Sequence, residues 1–196
     1  FEGREEANLI LGTDLLEHPE KAEGANNIVI VGGGVVGCET AHWLANEYGK
    51  NVTVLEMLPH FMMGVCTANR GHLLHYLEKS GVRLYNCTKV KALAKDGVYV
   101  EQNQSQTVPD PYNTWQPLLP PNIPNPMEKA IKEEIVEKKI PADLIVLAMG
   151  GKADETFFFE AGEEHLAKEI YNIGDSSRAG RVLEAVRGAY HLAVRI

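Results

Sequence analysis

Ile28 to Val31 are four consecutive β-branched residues, a run that reads as a buried strand. Val36, Ala41, Leu44, Ala45 and Tyr48 then fall near helical spacing, and Gly49 supplies a stop. Asn51 to Glu56 ("NVTVLE") is the next strand, so strand, glycine turn, helix and strand follow within about 30 residues, the length of a βαβ unit. A second helix is predicted over Ala68 to Lys79, with Leu73, Leu74 and Leu77 on one face and Gly81 as its cap. "VRLYN" reads as a third strand.

Beyond it the period shortens. "TKVKALAKDG" and "VYVEQN" predict a hairpin turning at Asp96-Gly97. Seven of the ten prolines lie between Pro109 and Pro126, which rules out a helix or a central strand there. Trp115, Leu118, Leu119 and Ile123 are too apolar for a solvated linker, so an ordered, docked surface loop is expected. Strand character resumes over Ile131 to Gly151, where Leu144 to Met149 is the apolar run of a strand buried on both faces. "IYNIGD", Ile170 to Asp175, reads as another such strand, followed by a helix from about Gly180 to Ile196. The chain shows no internal repeat.

Composition narrows the partners. A net charge of −8 with scattered basic residues argues against nucleic acid or an anionic membrane surface. Cys38, Cys66 and Cys87 are odd in number, widely spaced and without CxxC or Cys/His spacing, so neither a disulfide framework nor a metal centre is indicated. A reducing cytoplasm fits this usage, and no apolar run reaches the length of a membrane span.

Gly32-Gly33-Gly34-Val35-Val36-Gly37 satisfies GxGxxG. In that pattern the first glycine permits the turn, the second lets the backbone approach a pyrophosphate, and the third allows close helix packing. The start of the helix near Val35 would offer N–H groups and a positive dipole end to the phosphates. Glu56 closes the second strand about 20 residues on, where an acid accepts hydrogen bonds from the adenosine ribose hydroxyls. "EMLPHFMMG" has no Arg or Lys to meet a 2′-phosphate, which favours NAD(H) over its phosphorylated form. Glu39, two residues past the third glycine, is a further candidate for cofactor binding, although the helix dipole favours a first-turn carboxylate whatever its function. His42, His60, His72 and His75 read as surface residues, and Tyr85 to Lys89, although YxxxK in pattern, lies in strand and turn rather than on a helix.

With "GGGVVGCE", "VTVLE", "LIVLAMGGKAD" and "IYNIGD" in this order, the chain resembles the nicotinamide-binding part of flavoproteins with two dinucleotide-binding domains. More narrowly, it is similar to the C-terminal region of the NADH:flavin oxidoreductase family related to Old Yellow Enzyme, of the 2,4-dienoyl-CoA reductase and 2-enoate reductase type. The resemblance implies an α/β fold: a Rossmann-like three-layer nucleotide-binding domain with a small β-hairpin or meander, plus the C-terminal strand and helix of a split FAD domain. It implies a connecting segment over 1–24, an NAD(H)-binding domain over 25–151 with a proline-rich insertion at 102–127, and part of the FAD domain over 152–196. Gly150 would let the chain pass the nicotinamide ribose. Asp175 would bond a flavin ribityl hydroxyl, Gly174 would admit the flavin chain, and the helix beginning at Val182 would point its N-terminus at the flavin.

The resemblance further implies a fragment whose N-terminal domains, carrying FMN and an iron–sulfur cluster, lie elsewhere. NADH would pass its hydride to FAD, and the electrons would reduce an enoate or enoyl thioester on those domains. No protein acid or base is needed for the hydride step. Two other readings of the glycine turn stay open: an NAD(H)-sensing regulatory module without redox chemistry, and a methyltransferase, although the latter usually lacks the glycine that Gly37 supplies.

Overall fold

The computed structural model describes residues 1–115, 119, 123, 125–126 and 129–196, and Leu118 of the proline-rich segment lies outside these. The chain divides into two compact units, Phe1–Met149 and Gly150–Ile196.

In the first unit, β1 (Leu9–Leu11), β2 (Asn27–Val31), β3 (Asn51–Leu55), β4 (Arg83–Tyr85) and β8 (Leu144–Leu147) form a parallel sheet in the order β1-β8-β2-β3-β4. Side chains alternate across it. Ile28, Ile30, Val52, Val54, Leu144 and Val146 share one core with Cys38, Ala41 and Leu44 of α2 (Val35–Tyr48) and Leu74 and Leu77 of α3 (Thr67–Lys79). Val29, Val31, Leu55, Ile145 and Leu147 face the other way, onto Val90, Leu93, Val98, Val100 and Ile140. Those residues belong to an antiparallel sheet of β5 (Thr88–Ala94), β6 (Gly97–Asn103) and β7 (Ile135–Pro141). The unit is thus an α/β sandwich of helices, parallel sheet and antiparallel sheet, the Rossmann-like arrangement expected from the sequence.

Details differ. The segment 1–24 is more than a connection, because it adds β1 to the sheet edge and forms α1 (Gly12–Glu17). The stretch of strand character from Ile131 is two strands in two different sheets, β7 and β8, of which only β8 is an apolar run. Asp143 makes the break: its Oδ2 accepts the Asn26 and Asn27 backbone N–H groups at 3.0 and 2.7 Å, which also lowers the pKa of its carboxyl. The expected hairpin is accordingly a three-stranded meander. Helix α3 ends as foreseen, with Gly81 at φ +71°, a conformation that favours glycine.

Asn103 ties together the two ends of the proline-rich connection between β6 and β7. Its Oδ1 accepts the N–H groups of Ser105 and Glu134 at 3.1 and 3.0 Å, and its Nδ2 donates to the Lys132 carbonyl at 2.8 Å. Further along, the Tyr112 hydroxyl donates to the Val82 carbonyl at 2.6 Å and accepts the Leu84 N–H at 3.2 Å. Trp115, Leu119 and Ile123 are exposed.

The second unit contains α4 (Thr156–Glu163) and α5 (Val182–Ala193). Here one expectation fails: Ile170 to Asp175 is not a strand. Residues 170–173 have no regular structure, and Gly174–Ser176 forms a 3₁₀ turn. An extended segment becomes a strand only by pairing its N–H and C=O groups with a neighbour, and among the described residues no strand pairs with it. The C-terminal strand and helix are therefore a turn and a helix.

Candidate nucleotide-binding site

The parallel strands β2 and β3 end side by side, with Val31 opposite Leu55. The Gly32 N–H donates to the Leu55 carbonyl at 2.9 Å, so the glycine turn starts as a continuation of the ladder. Gly32 has φ +115°, and a Cβ there would strike the Ala148 carbonyl. A Cβ on Gly37 would strike the carbonyl of Gly32, so this glycine sets how closely α2 packs on the turn.

Gly34 differs from both. Its φ of −72° and ψ of −174° suit any residue, and nothing lies within 4 Å of the position a Cβ would take. It is exposed, at the N-cap of α2, and no side chain caps that helix. Val35 is the first helical residue, and the leading N–H groups of any helix have no intrahelical acceptor. Glu39 therefore lies beyond the first turn, which contains no acidic residue, and its side chain is exposed. The first-turn reading of Glu39 is corrected: the helix begins one residue after Gly34, so the fifth helical position falls in the second turn.

Glu56 follows β3 and turns back over the glycines. Its Oε2 accepts the Gly33 N–H at 2.8 Å, and its Oε1 accepts the Leu58 N–H at 2.8 Å. Gly33 is held on its other sides as well. The Met62 N–H donates to the Gly33 carbonyl at 2.8 Å, and the fully buried Phe61 ring with the Glu56 Cβ fills the space a side chain would need. A strap of residues 58–62 thus lies against the turn at Gly33.

The strap has its own supports. Arg70 on α3 is buried, donating from Nε to the Phe61 carbonyl at 2.9 Å and from Nη1 to the Asn113 carbonyl at 3.0 Å. Buried Asn86 donates from Nδ2 to the Pro59 carbonyl at 2.7 Å and to the Pro109 carbonyl at 2.9 Å. No nucleotide-binding pattern in the sequence marks Phe61, Met62, Arg70 or Asn86. A signal existed for one: Arg70 shares the helical stripe of Leu74 and Leu77, a cation where the period calls for an apolar residue.

Beneath the turn, the Cys38 Sγ approaches the Gly33 carbonyl at 3.6 Å. Burial pushes its thiol up to about 12, helped by the nearby Glu56 and Glu39 charges and opposed by Arg70. All three cysteines are free. His42, His72 and His75 surround the Tyr76 ring, with centroids 5.7, 4.7 and 5.7 Å away, and among the described residues no His, Cys, Asp or Glu group is arranged to hold a metal.

In the second unit Gly150 takes φ +87° and Gly174 φ +68°. Asp175 is exposed, and its Oδ1 accepts the Gly180 N–H at 3.1 Å, bracing the loop that leads into α5. Val182 opens that helix and is 81% exposed.

An uncapped helix start behind three glycines, with a carboxylate closing the neighbouring strand, defines the first unit as a nucleotide-binding domain of Rossmann-like class. Residues 7–187 match the pyridine nucleotide-disulphide oxidoreductase family, and the chain belongs to it. It is 26% identical over 183 residues to an NADH oxidase of Thermoanaerobacter brockii, covering 93% of this chain and 23% of that protein. It is 22% identical over 180 residues to a cinnamate reductase of Clostridium sporogenes, covering 90% of this chain and 22% of that protein. The solved 2-naphthoyl-CoA reductase complexed with 2-naphthoyl-CoA shares the fold, with a TM-score of 0.73, 24% identity and coverage of 100% of this chain and 24% of that one. The chain spans less than a quarter of the length of these proteins. Its family binds FAD and NAD(H), and the relatives named above are an NADH oxidase and two reductases. No helix among the described residues is long and apolar enough to cross a membrane.

Proposed function

We propose that this chain is the nucleotide-binding part of an NADH-dependent flavin oxidoreductase of ene-reductase type. The observation that carries the reading is the open face of Gly34 at an uncapped helix start beside the Glu56 carboxylate. Backbone N–H groups at the start of α2 hold the pyrophosphate there, and the absent side chain of Gly34 leaves it room. Glu56 keeps acceptor capacity for the adenosine ribose, since two carboxylate oxygens offer about four lone-pair sites and two N–H groups use only two. Its negative charge disfavours a 2′-phosphate, hence NADH.

When bound, NADH supplies a hydride and FAD accepts it. The chain's own contribution is orientation and exclusion of water, because hydride transfer requires close approach of the two rings and no protein acid or base. Gly150 and the Gly174-Asp175 turn are the positions through which this chain would meet the nicotinamide ribose and the flavin. Support for further domains comes from the coverage of the relatives and from α5, which leaves Val182, Val186 and Tyr190 exposed, an apolar face of the kind that marks a contact surface. Those domains would carry FMN, an iron–sulfur cluster and the site for the alkene. Cinnamate and 2-naphthoyl-CoA, named for two of the relatives, both place unsaturated carbon in conjugation with a carboxyl or thioester group, and an activated alkene of that class is the proposed substrate.

Titrating the chain with NADH and NADPH by calorimetry tests the nucleotide site. Anaerobic addition of NADH to the FAD-loaded protein tests the redox step, which should bleach the flavin's visible absorption. NADH binding without bleaching would leave a nucleotide sensor instead.

A further inference from the structure

Two buried donors, Arg70 and Asn86, each join the same pair of segments. Asn86 Nδ2 bridges the carbonyls of Pro59 and Pro109 at 2.7 and 2.9 Å. Arg70 bridges those of Phe61 and Asn113, through Nε and Nη1, at 2.9 and 3.0 Å. One segment is the strap against Gly33, and the other is the start of the proline-rich segment. Neither bridge depends on a side chain of the segments it joins, because all four acceptors are backbone carbonyls.

The choice of donors is informative. Arg70 is 3% exposed and, among the described residues, has no ion-pair partner. A buried guanidinium without a carboxylate costs more than a leucine on the same stripe, so stability alone does not account for it. What it supplies is direction, with donors aimed two ways from one rigid plane. The strap it holds carries the Leu58 N–H that fixes Glu56 Oε1 and the Met62 N–H that fixes the Gly33 carbonyl.

We propose that Arg70 and Asn86 are positioning residues through which the proline-rich segment sets the geometry of the Glu56 carboxylate and the glycine turn, and so the discrimination between NADH and NADPH. The inference rests on the proposed nucleotide site. Two consequences separate it from a plain stabilising role. Lower fold stability reduces the binding-competent fraction, which weakens both nucleotides by the same factor and leaves their ratio unchanged. Loss of positioning moves Glu56 relative to the ribose, and the ratio then falls.

The test compares NADH and NADPH affinities by calorimetry for the chain and for Arg70→Lys and Asn86→Ser. The lysine would reach one carbonyl rather than two, and the serine is too short to bridge the carbonyls of Pro59 and Pro109. A second variant type removes the Pro109 and Asn113 acceptors and keeps the donors: a two-glycine linker replaces residues 108–131, a closure permitted because the Lys132 N–H already donates to Thr107 Oγ1 at 2.7 Å. The expected result is a NADH preference reduced about tenfold in at least one folded variant of each type, the effect of one or two lost hydrogen bonds. An unchanged ratio in folded variants overturns this inference alone. No NADH binding by the unaltered chain overturns the proposed site and this inference with it.

Discussion

The Glu56 carboxylate accepts the Gly33 N–H at 2.8 Å, joining the strand end of β3 to the glycine turn that follows β2. The acid that would read the ribose therefore also braces the turn that would hold the phosphates. Replacing Glu56 changes both.

Glu56→Gln is expected to narrow the preference for NADH over NADPH by about tenfold, since the repulsion of a 2′-phosphate disappears. NADH itself should bind more weakly, because a glutamine can turn only one acceptor oxygen toward the ribose and the Gly33 and Leu58 N–H groups. Calorimetric titration of both nucleotides reads the ratio, and tighter binding of NADPH by the unaltered chain would contradict the assignment.

Gly34→Val and Gly37→Ala should part company. The first adds a side chain where nothing lies within 4 Å and where φ is ordinary, so stability should fall by no more than the roughly 1 kcal/mol of a poorer N-cap while NADH affinity falls at least about a hundredfold. The second drives a Cβ into the Gly32 carbonyl and should cost on the order of 3 kcal/mol of stability. Thermal unfolding paired with calorimetry distinguishes them; normal NADH binding by Gly34→Val would make the turn purely structural.

Cys38 predicts an alkaline limit. Burial raises its thiol pKa from 9.0 to about 12, so the folded state holds this proton more tightly than the unfolded chain does. The contribution is complete below about pH 9 and is lost as pH rises toward 12, on the order of 4 kcal/mol in all. Denaturant unfolding from pH 8 upward should show a steeper decline for the natural chain than for Cys38→Ala, and parallel profiles would refute it. At neutral pH a thiol reagent should label exposed Cys66 well before Cys38.

Asp175→Ala in the FAD-loaded protein is expected to weaken flavin retention by roughly one to two powers of ten, the loss of a charged hydrogen-bond acceptor. NADH affinity should change little. In this structure Asp175 braces Gly180 within a turn, and unchanged flavin content in the variant would confine it to that role.

Much of the first unit was legible because its signals are local. The β-branched run Ile28 to Val31, the helical spacing through Leu44 and the apolar run from Leu144 each express a backbone period within one short window, and each became the element expected. The order GxGxxG and then Glu56 is likewise local. Long-range pairing was not legible. A window of sequence does not say that β7 and β8 belong to different sheets, because strand character runs through both and only the neighbours available to each decide the pairing. Nor does it say that "IYNIGD" lacks a ladder partner and settles into a turn. The grip of Glu56 on Gly33, and the bridges of Arg70 and Asn86 to carbonyls between 9 and 43 residues away, use backbone groups that every residue carries and no composition marks. Those contacts exist only once packing of the sheets and helices has brought their partners within hydrogen-bond reach, so the fold class lay in the sequence and the geometry of the site lay in the tertiary structure.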